Sequence, residues 1–167
     1  MSATLARPGA IEGLRPVRDG DAAALAHLVG TCFAEYEGCV LDLETEEVSL
    51  NAPATWAAAH HGTWWVVERA GVVGASVAIY PKGPEAELKK LYLLPAFRGA
   101  GLATALVALA EDTARSAGAR RVTLWSDTRF LEAHRLYRRL GYVQGGTRAL
   151  HDLSDTVEFF FARELAP

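Results

Sequence analysis

The sequence predicts an α/β protein, of the α+β kind, built on a mixed, mostly antiparallel sheet of about six to seven strands flanked by helices. Three observations point there. Two runs of aromatic and β-branched residues, 63–69 and 72–80, flank Gly71 as the strands of a hairpin do. A strongly periodic helix, with Leu102, Leu106 and Leu109 at i, i+4 and i+7, follows a third strand-like run at 87–94. The chain then alternates strand, helix and strand to its end, an order that favours helices packed on a sheet over a bundle or a sandwich. At 167 residues, half of them apolar and 22% charged, a single domain over residues 1–167 with a sizeable core is expected.

Each element has its own signal. Residues 1–13 read as a loose tail, and 14–17 as a short first strand. Asp19 or Asp21 can cap the next helix, because a short carboxylate accepts bonds from the orphan amides of a first turn. Leu25, Leu28, Val29 and Cys32 then fall at helical spacing, and the helix continues toward Tyr36. Residues 38–51 carry Asp42, Glu44, Glu46 and Glu47 and read as a loop or a short second helix. Such a run is either a solvated face or an attraction for a cationic substrate. Residues 53–61 suggest another short helix, and 81–84 a turn. After the loop at 95–100, the helix from Gly101 places Glu111, Asp112 and Arg115 on its polar side, and Gly118 ends it. Residues 121–126 read as a buried strand. Asp127 or Thr128 caps a helix to Leu140, closed by Gly141. Residues 142–144 begin another strand. Residues 157–163 form a last one, apolar enough to sit inside a sheet or to contribute to contact with a second copy.

The totals exclude several classes. A net charge of −3 gives no concentrated basic surface for nucleic acid. Residues 1–9 lack a signal-peptide core, and the longest apolar stretch, near 102–110, is too short to span a bilayer, so no membrane partner and a cytoplasmic location are expected. Cys32 and Cys39 form no C-x-x-C and read as buried free thiols, which suits a reducing compartment. His60, His61, His134 and His151 lack ligand spacing, and no metal is expected. Trp64, Trp65 and Trp125 read as core.

The chemistry concentrates in residues 87–103, E-L-K-K-L-Y-L-L-P-A-F-R-G-A-G-L-A. This is a strand, a Pro-marked turn, a glycine loop and a helix start. The first amides of a helix have no internal acceptor, and the helix dipole places positive charge there. Gly99 and Gly101 let an anion approach the backbone, and Arg98 adds a full charge. No G-x-x-x-x-G-K-[ST] run exists. A G-x-G-x-x-G/A fingerprint read from Gly99 meets Thr104 at its third place.

R-G-A-G-L-A fits [QR]-x-x-G-x-[GA], and A-H-R-L-Y-R-R-L-G-Y at 133–142 fits A-x-x-x-Y-x-x-x-G-[FY]. Together they resemble the two signatures of the GNAT superfamily of N-acetyltransferases, sharply over residues 85–143. The resemblance implies a sheet splayed between its fourth and fifth strands, with acetyl-CoA as co-substrate entering the gap. The backbone of Leu91, Tyr92 and Leu93 would pair with the pantetheine arm. Arg98 and the amides of Gly99, Ala100, Gly101, Leu102, Ala103 and Thr104 would hold the diphosphate. Tyr137 would protonate the departing thiolate, against the plainer reading of a core tyrosine facing the sheet.

Glu87 is the candidate general base or ammonium anchor, and strand alternation puts it on one face with Lys89, Leu91 and Leu93 unless a bulge intervenes. Glu35 and Tyr36 are candidates for the substrate pocket, which the first two helices roof in similar enzymes. One departure stands out: the asparagine that many members place seven residues before the tyrosine is Phe130 here, so its contact falls to Asp127, Thr128 or a water. The expected acceptor is a small, cationic primary amine, and a homodimer is plausible. A non-catalytic acyl-CoA sensor, acetylation of a protein N-terminus or lysine, and a nucleotide-binding protein with a degenerate glycine loop stay open.

Overall fold

The computed structural model describes residues 11–167. Its first strand is β1 (Leu14–Pro16), followed by helices α1 (Ala22–Phe33) and α2 (Pro53–Ala59). Then come β2 (Thr63–Arg69), β3 (Val72–Lys82), β4 (Glu85–Leu93), α3 (Leu102–Ser116), β5 (Arg121–Asp127), α4 (Leu131–Arg139), β6 (Val143–Ala149) and β7 (Val157–Glu164). The strands form one sheet in the order β1-β2-β3-β4-β5-β7-β6. All neighbours run antiparallel except β4 and β5. The last strand does sit inside the sheet, between β5 and β6.

Two apolar clusters sandwich the sheet. Leu25, Leu28, Val29 and Cys32 of α1 pack with Trp64, Val66 and Ala78 on one face. Leu106, Val107 and Ala110 of α3 pack with Val77, Leu88, Val122 and Phe161 on the other. Leu106 is fully buried, so its truncation to alanine would cost about 2–5 kcal/mol. The covering is uneven: every residue of β6 is exposed.

The pairing of β4 with β5 positions the site. It holds only at Glu85–Arg121, Ala86–Val122 and Glu87–Thr123. Beyond Glu87 the two strands part, and the β4 edge facing β5 has no strand partner. A bulge reinforces this. Ala78 of β3 faces Lys89, yet Ser76 faces Tyr92, and Lys90 takes φ +58°. The extra residue reverses the strand's faces. Glu87 therefore shares its face with Tyr92 and not with Leu91 and Leu93, which turn to the α3 cluster. The simple alternation expected from sequence fails at this residue.

Other local expectations are corrected. Residues 1–10 of the expected tail lie outside the described residues, while 11–13 form a turn whose Gly13 carbonyl accepts from Glu68 N at 2.9 Å. Neither Asp19 nor Asp21 caps α1 with its side chain. Asp21 accepts from Arg18 N and Arg15, and Asp19 accepts from Thr55 in α2. Helix α1 stops at Phe33 and continues only as turns to Tyr36. Residues 38–51 are loop except for a 3-10 turn at Val48–Asn51. Pro81 and Lys82 extend β3, opposite Ala86 and Glu85. Asp127 ends β5 and binds Arg129, so α4 starts at Leu131, after Phe130, without a side-chain cap. Glu111 is buried rather than on a polar face, because Arg163 of β7 and Tyr142 both reach it, at 2.7 and 3.2 Å. Cys39 is half-buried, unlike Cys32. No helix of the described residues is long and apolar enough to cross a membrane.

Candidate active site

The glycine loop is rooted firmly and left open at its tip. Leu94 N donates to Gly74 O at 2.8 Å, and the Phe97 ring packs on Gly74, where a Cβ would stand 2.1 Å from it. The chain therefore leaves β4 along a fixed path. It then turns through Gly99 at φ +86° and Gly101 at φ +78°, a region glycine enters without a Cβ penalty. A Cβ on either would meet nothing within 4 Å. Among the described residues, none of the six amides from Gly99 to Thr104 donates to a protein acceptor, and no side chain caps α3. Free amides, the positive end of a 15-residue helix and a backbone clear of side chains fit a diphosphate.

Arg98 lies elsewhere than the sequence suggests. Its Nε donates to Leu93 O at 2.9 Å, and its two terminal nitrogens donate to Glu35 at 3.0 and 2.6 Å. That pairing holds the Glu35 carboxylate below its ordinary range. Glu35 and Arg98 thus satisfy each other, and neither points a free charge at a ligand.

A groove of about 380 Å³ opens where β4 and β5 part. Glu87 through Tyr92 of β4 and Leu124 through Asp127 of β5 form its floor and walls. Phe33 and Tyr137 enter from the helices and Phe130 from the residue before α4, while the loop at 39–47, the loop joining β6 to β7 and the adjoining strand residues Arg148 and Glu158 form its rim. The loop at 98–103 is not part of this lining; it begins beyond the β4 end of the groove.

Tyr137 is buried, and burial pushes its phenol well up, so it stays protonated and can donate. Its hydroxyl makes no hydrogen bond among the described residues, and Tyr142 and Phe161 pack on its ring at 5.8 and 5.6 Å. Glu87 stands at the apex of the splay, 13% exposed, with Lys82 and Lys89 at 3.4 and 3.7 Å. Phe130 fills the place of the usual asparagine with an aromatic cluster. Tyr36 lies 4.9 Å from it and Phe33 6.1 Å, while Phe33 also meets Tyr92 edge-on at 5.9 Å. Asp127 does not replace the amide, because Arg129 occupies both its oxygens.

Sequence reasoning missed three parts of the groove. Lys90 pairs with Glu47, and this ties the acidic loop to the bulge. Trp125 is not core: it lines the groove beneath Arg148, whose guanidinium lies 4.2 Å from its ring. Ser126 bonds the buried His134 at 3.1 Å behind the groove wall. The first two depend on pairings 43 and 23 residues apart, and no local pattern marks them. The acidic loop was visible, and it does reach the site. Among the described residues, seven carboxylates line the groove against Lys89, Lys90 and Arg148.

Comparison with known proteins adds an independent line. The model of the Acetyltransferase (GNAT) family matches residues 23–142. The uncharacterized N-acetyltransferase YjgM of Escherichia coli is 42% identical over 83 residues, which is 47% of this chain and 50% of that protein. The aminoalkylphosphonate N-acetyltransferase of Salmonella typhimurium is 40% identical over 62 residues, 37% of this chain and 40% of that one. The chain thus spans about half the length, or less, of the curated relatives it matches. Among solved structures, an acetyltransferase of Streptococcus agalactiae superposes with a TM-score of 0.76 at 19% identity, over 93% of this chain and 100% of that one. An acetyltransferase of Salmonella typhimurium, solved with its cofactor acetyl-CoA, gives 0.71 at 18%, over 92% and 94%. At these identities the likeness establishes the shared fold.

Proposed function

Since the chain belongs to the GNAT acetyltransferase family, we propose that it transfers an acetyl group from acetyl-CoA directly to a primary amine of a small, cationic molecule. One observation carries this reading: six consecutive amides without an acceptor among the described residues stand at the head of α3, after a strand that has parted from its neighbour. The amides from Gly99 to Thr104 would hold the diphosphate. The free edge of β4 at Leu91, Tyr92 and Leu93 would meet the pantetheine arm. Acetyl-CoA supplies an activated acyl group on a good leaving thiol.

The residues of the groove divide the remaining work. An amine attacks only when neutral, and the Glu87 carboxylate at the apex can accept its proton directly or through water. A backbone amide near Leu91 can stabilise the oxyanion. Tyr137, kept protonated by burial, can give its proton to the departing thiolate. The excess of carboxylates favours an acceptor with a further positive charge, such as a polyamine, an amino sugar or a basic amino acid.

A thermal-shift screen tests the cofactor half of this reading. Coenzyme A should raise the midpoint, by the equivalent of about 2.7 kcal/mol at a hundredfold excess over Kd, and ATP or NAD should not. Stabilisation by ATP or NAD alone would return the loop to a nucleotide site. Thiol release over a panel of polyamines, aminoglycosides, amino acids and aminoalkylphosphonates tests the acceptor half. Binding without release on any amine would make the protein a sensor. Tyr137→Phe should bind coenzyme A normally and turn over at least tenfold more slowly.

A further inference from the structure

The two halves of the sheet meet through strand pairing only at one end, where Glu87 faces Thr123. At the open end a different element joins them. Residues 35–40, the turns that follow α1, cross from one side of the gap to the other. On the β4 side, Glu35 receives two bonds from Arg98, which also donates to Leu93 O and lies 3.7 Å from Cys32 Sγ. On the β5 side, Arg129 donates to Glu37 O at 3.3 Å and to Ser154 O at 3.1 Å. Tyr36 packs against Phe130 with its ring tilted, and Ser154 brackets the backbone of Val40 at 2.8 and 3.3 Å. Arg98 fastens the segment at Glu35, Arg129 at Glu37, and Ser154 at Val40.

We infer that Arg98 and Arg129 are positioning residues that anchor residues 35–40 as a strap across the open end of the splay and so set the width of the gap. The guanidinium of Arg98 is committed at every nitrogen, to a carbonyl, a carboxylate and a thiol. It acts on the diphosphate through the loop it holds and not as a ligand. Arg129, from the opposite half of the sheet, has the same task without lying near the glycine loop. The strap also carries Tyr36 against Phe130, which lines the groove, and Cys39 and Val40, which line it directly, so one element links the width of the gap to the wall of the groove. This rests on the gap being the cofactor's; the fastening itself does not.

The test uses Glu35→Gln, which frees Arg98 without removing it, and Arg129→Gln. Hydrogen exchange of the cofactor-free protein reads the fastening alone. Exchange over residues 35–40 should accelerate roughly three- to tenfold in either variant, the range expected for losing charge-assisted bonds, while β2 and β3 stay unchanged. Unchanged exchange would overturn the strap whether or not the protein binds coenzyme A. Calorimetry then reads the consequence. Both variants should weaken coenzyme A and S-acetylpantetheine by the same factor and raise the KM of the amine more than they lower kcat. The double variant should lose less than the product of the single losses. Should Glu35→Gln tighten coenzyme A and spare S-acetylpantetheine, Arg98 is the diphosphate's own ligand and the inference fails. If Glu35→Gln unfolds, the exchanged pair Glu35→Arg with Arg98→Glu restores that contact and should recover both affinities. If Arg129→Gln unfolds, Arg129→Lys, which can still donate to Glu37 O, takes its place and should lose less than Arg129→Gln would. Failure of either rescue would count against the strap.

Discussion

At the start of α2, Asp19 reaches over from the turn before α1. It accepts from Thr55 N at 2.9 Å and from Thr55 Oγ1 at 2.5 Å. At the start of α3, six amides face no acceptor among the described residues, and two glycines keep the turn clear of side chains. Both helices face the same physical problem, since every helix begins with amides that lack partners. The chain solves it internally at α2, a scaffold helix, and leaves it unsolved at α3. The contrast separates what the fold needs from what a ligand completes. It is sharpest where one substitution moves affinity and stability in opposite directions.

Ala100→Glu is the strongest such probe. Ala100 is exposed, and a carboxylate there would lie within reach of the free amides and the helix dipole. Coenzyme A affinity should fall roughly a hundredfold, or about 2.7 kcal/mol, while the thermal midpoint holds or rises. Calorimetry and thermal denaturation on one sample would show both. Undiminished affinity would mean that the head of α3 is not where the diphosphate goes.

Asp21→Asn should do the reverse. Asp21 accepts from Arg15 at 2.9 and 2.8 Å and from Arg18 N at 2.7 Å. The Arg15 bonds lower its pKa below the ordinary 3.8, against the opposing effect of burial. A carboxylate depressed in the folded state stabilises above its unfolded pKa and loses that contribution as pH falls through the folded value. Wild-type stability should therefore decline below about pH 3.8, and the variant's should decline less steeply. At pH 7 the variant should lose about 2 kcal/mol by urea denaturation, with coenzyme A affinity unchanged. Gly101→Ala should cost less stability, about 1 kcal/mol, because its Cβ meets nothing and only the positive φ resists it. Affinity should still fall, since the methyl group stands beside the amides.

The same division explains what could be read in the sequence. Strand β2 and the body of α3 were legible because alternation and helical spacing are local. The glycine loop was legible because φ above zero calls for glycine, and glycine is visible. The bulge at Lys90 was not, since a lysine in that conformation carries no mark and its pairing with Glu47 closes over 43 residues. Glu111 misled for a related reason. Its neighbours in the helix look polar, and the residue that draws it inside, Arg163, arrives 52 positions later. Arg98 and Glu35 were both singled out as ligand contacts, but their bond to each other spans 63 positions and shows only in three dimensions. Local geometry was therefore readable, and charge pairing across the sheet was not.

The smallest expected effect tests the scaffold side of the contrast. Asp19 is held below its ordinary pKa chiefly by the Thr55 hydroxyl and then by the Thr55 amide, so it acts on α2 as a cap supplied from outside the helix. If the amide's need for an acceptor is what matters, Asp19→Asn should leave the thermal midpoint close to wild type, because the asparagine oxygen still accepts. Asp19→Ala should lower it, though by less than Asp21→Asn does. If the charge were the essential part, the two variants would fall together, and added salt would narrow their distance from wild type. Neither should change coenzyme A affinity, because α2 lies on the opposite face of the sheet from α3. A loss of affinity in Asp19→Ala would show that the capped helix and the uncapped one are not independent, and the line drawn between scaffold and site would have to move.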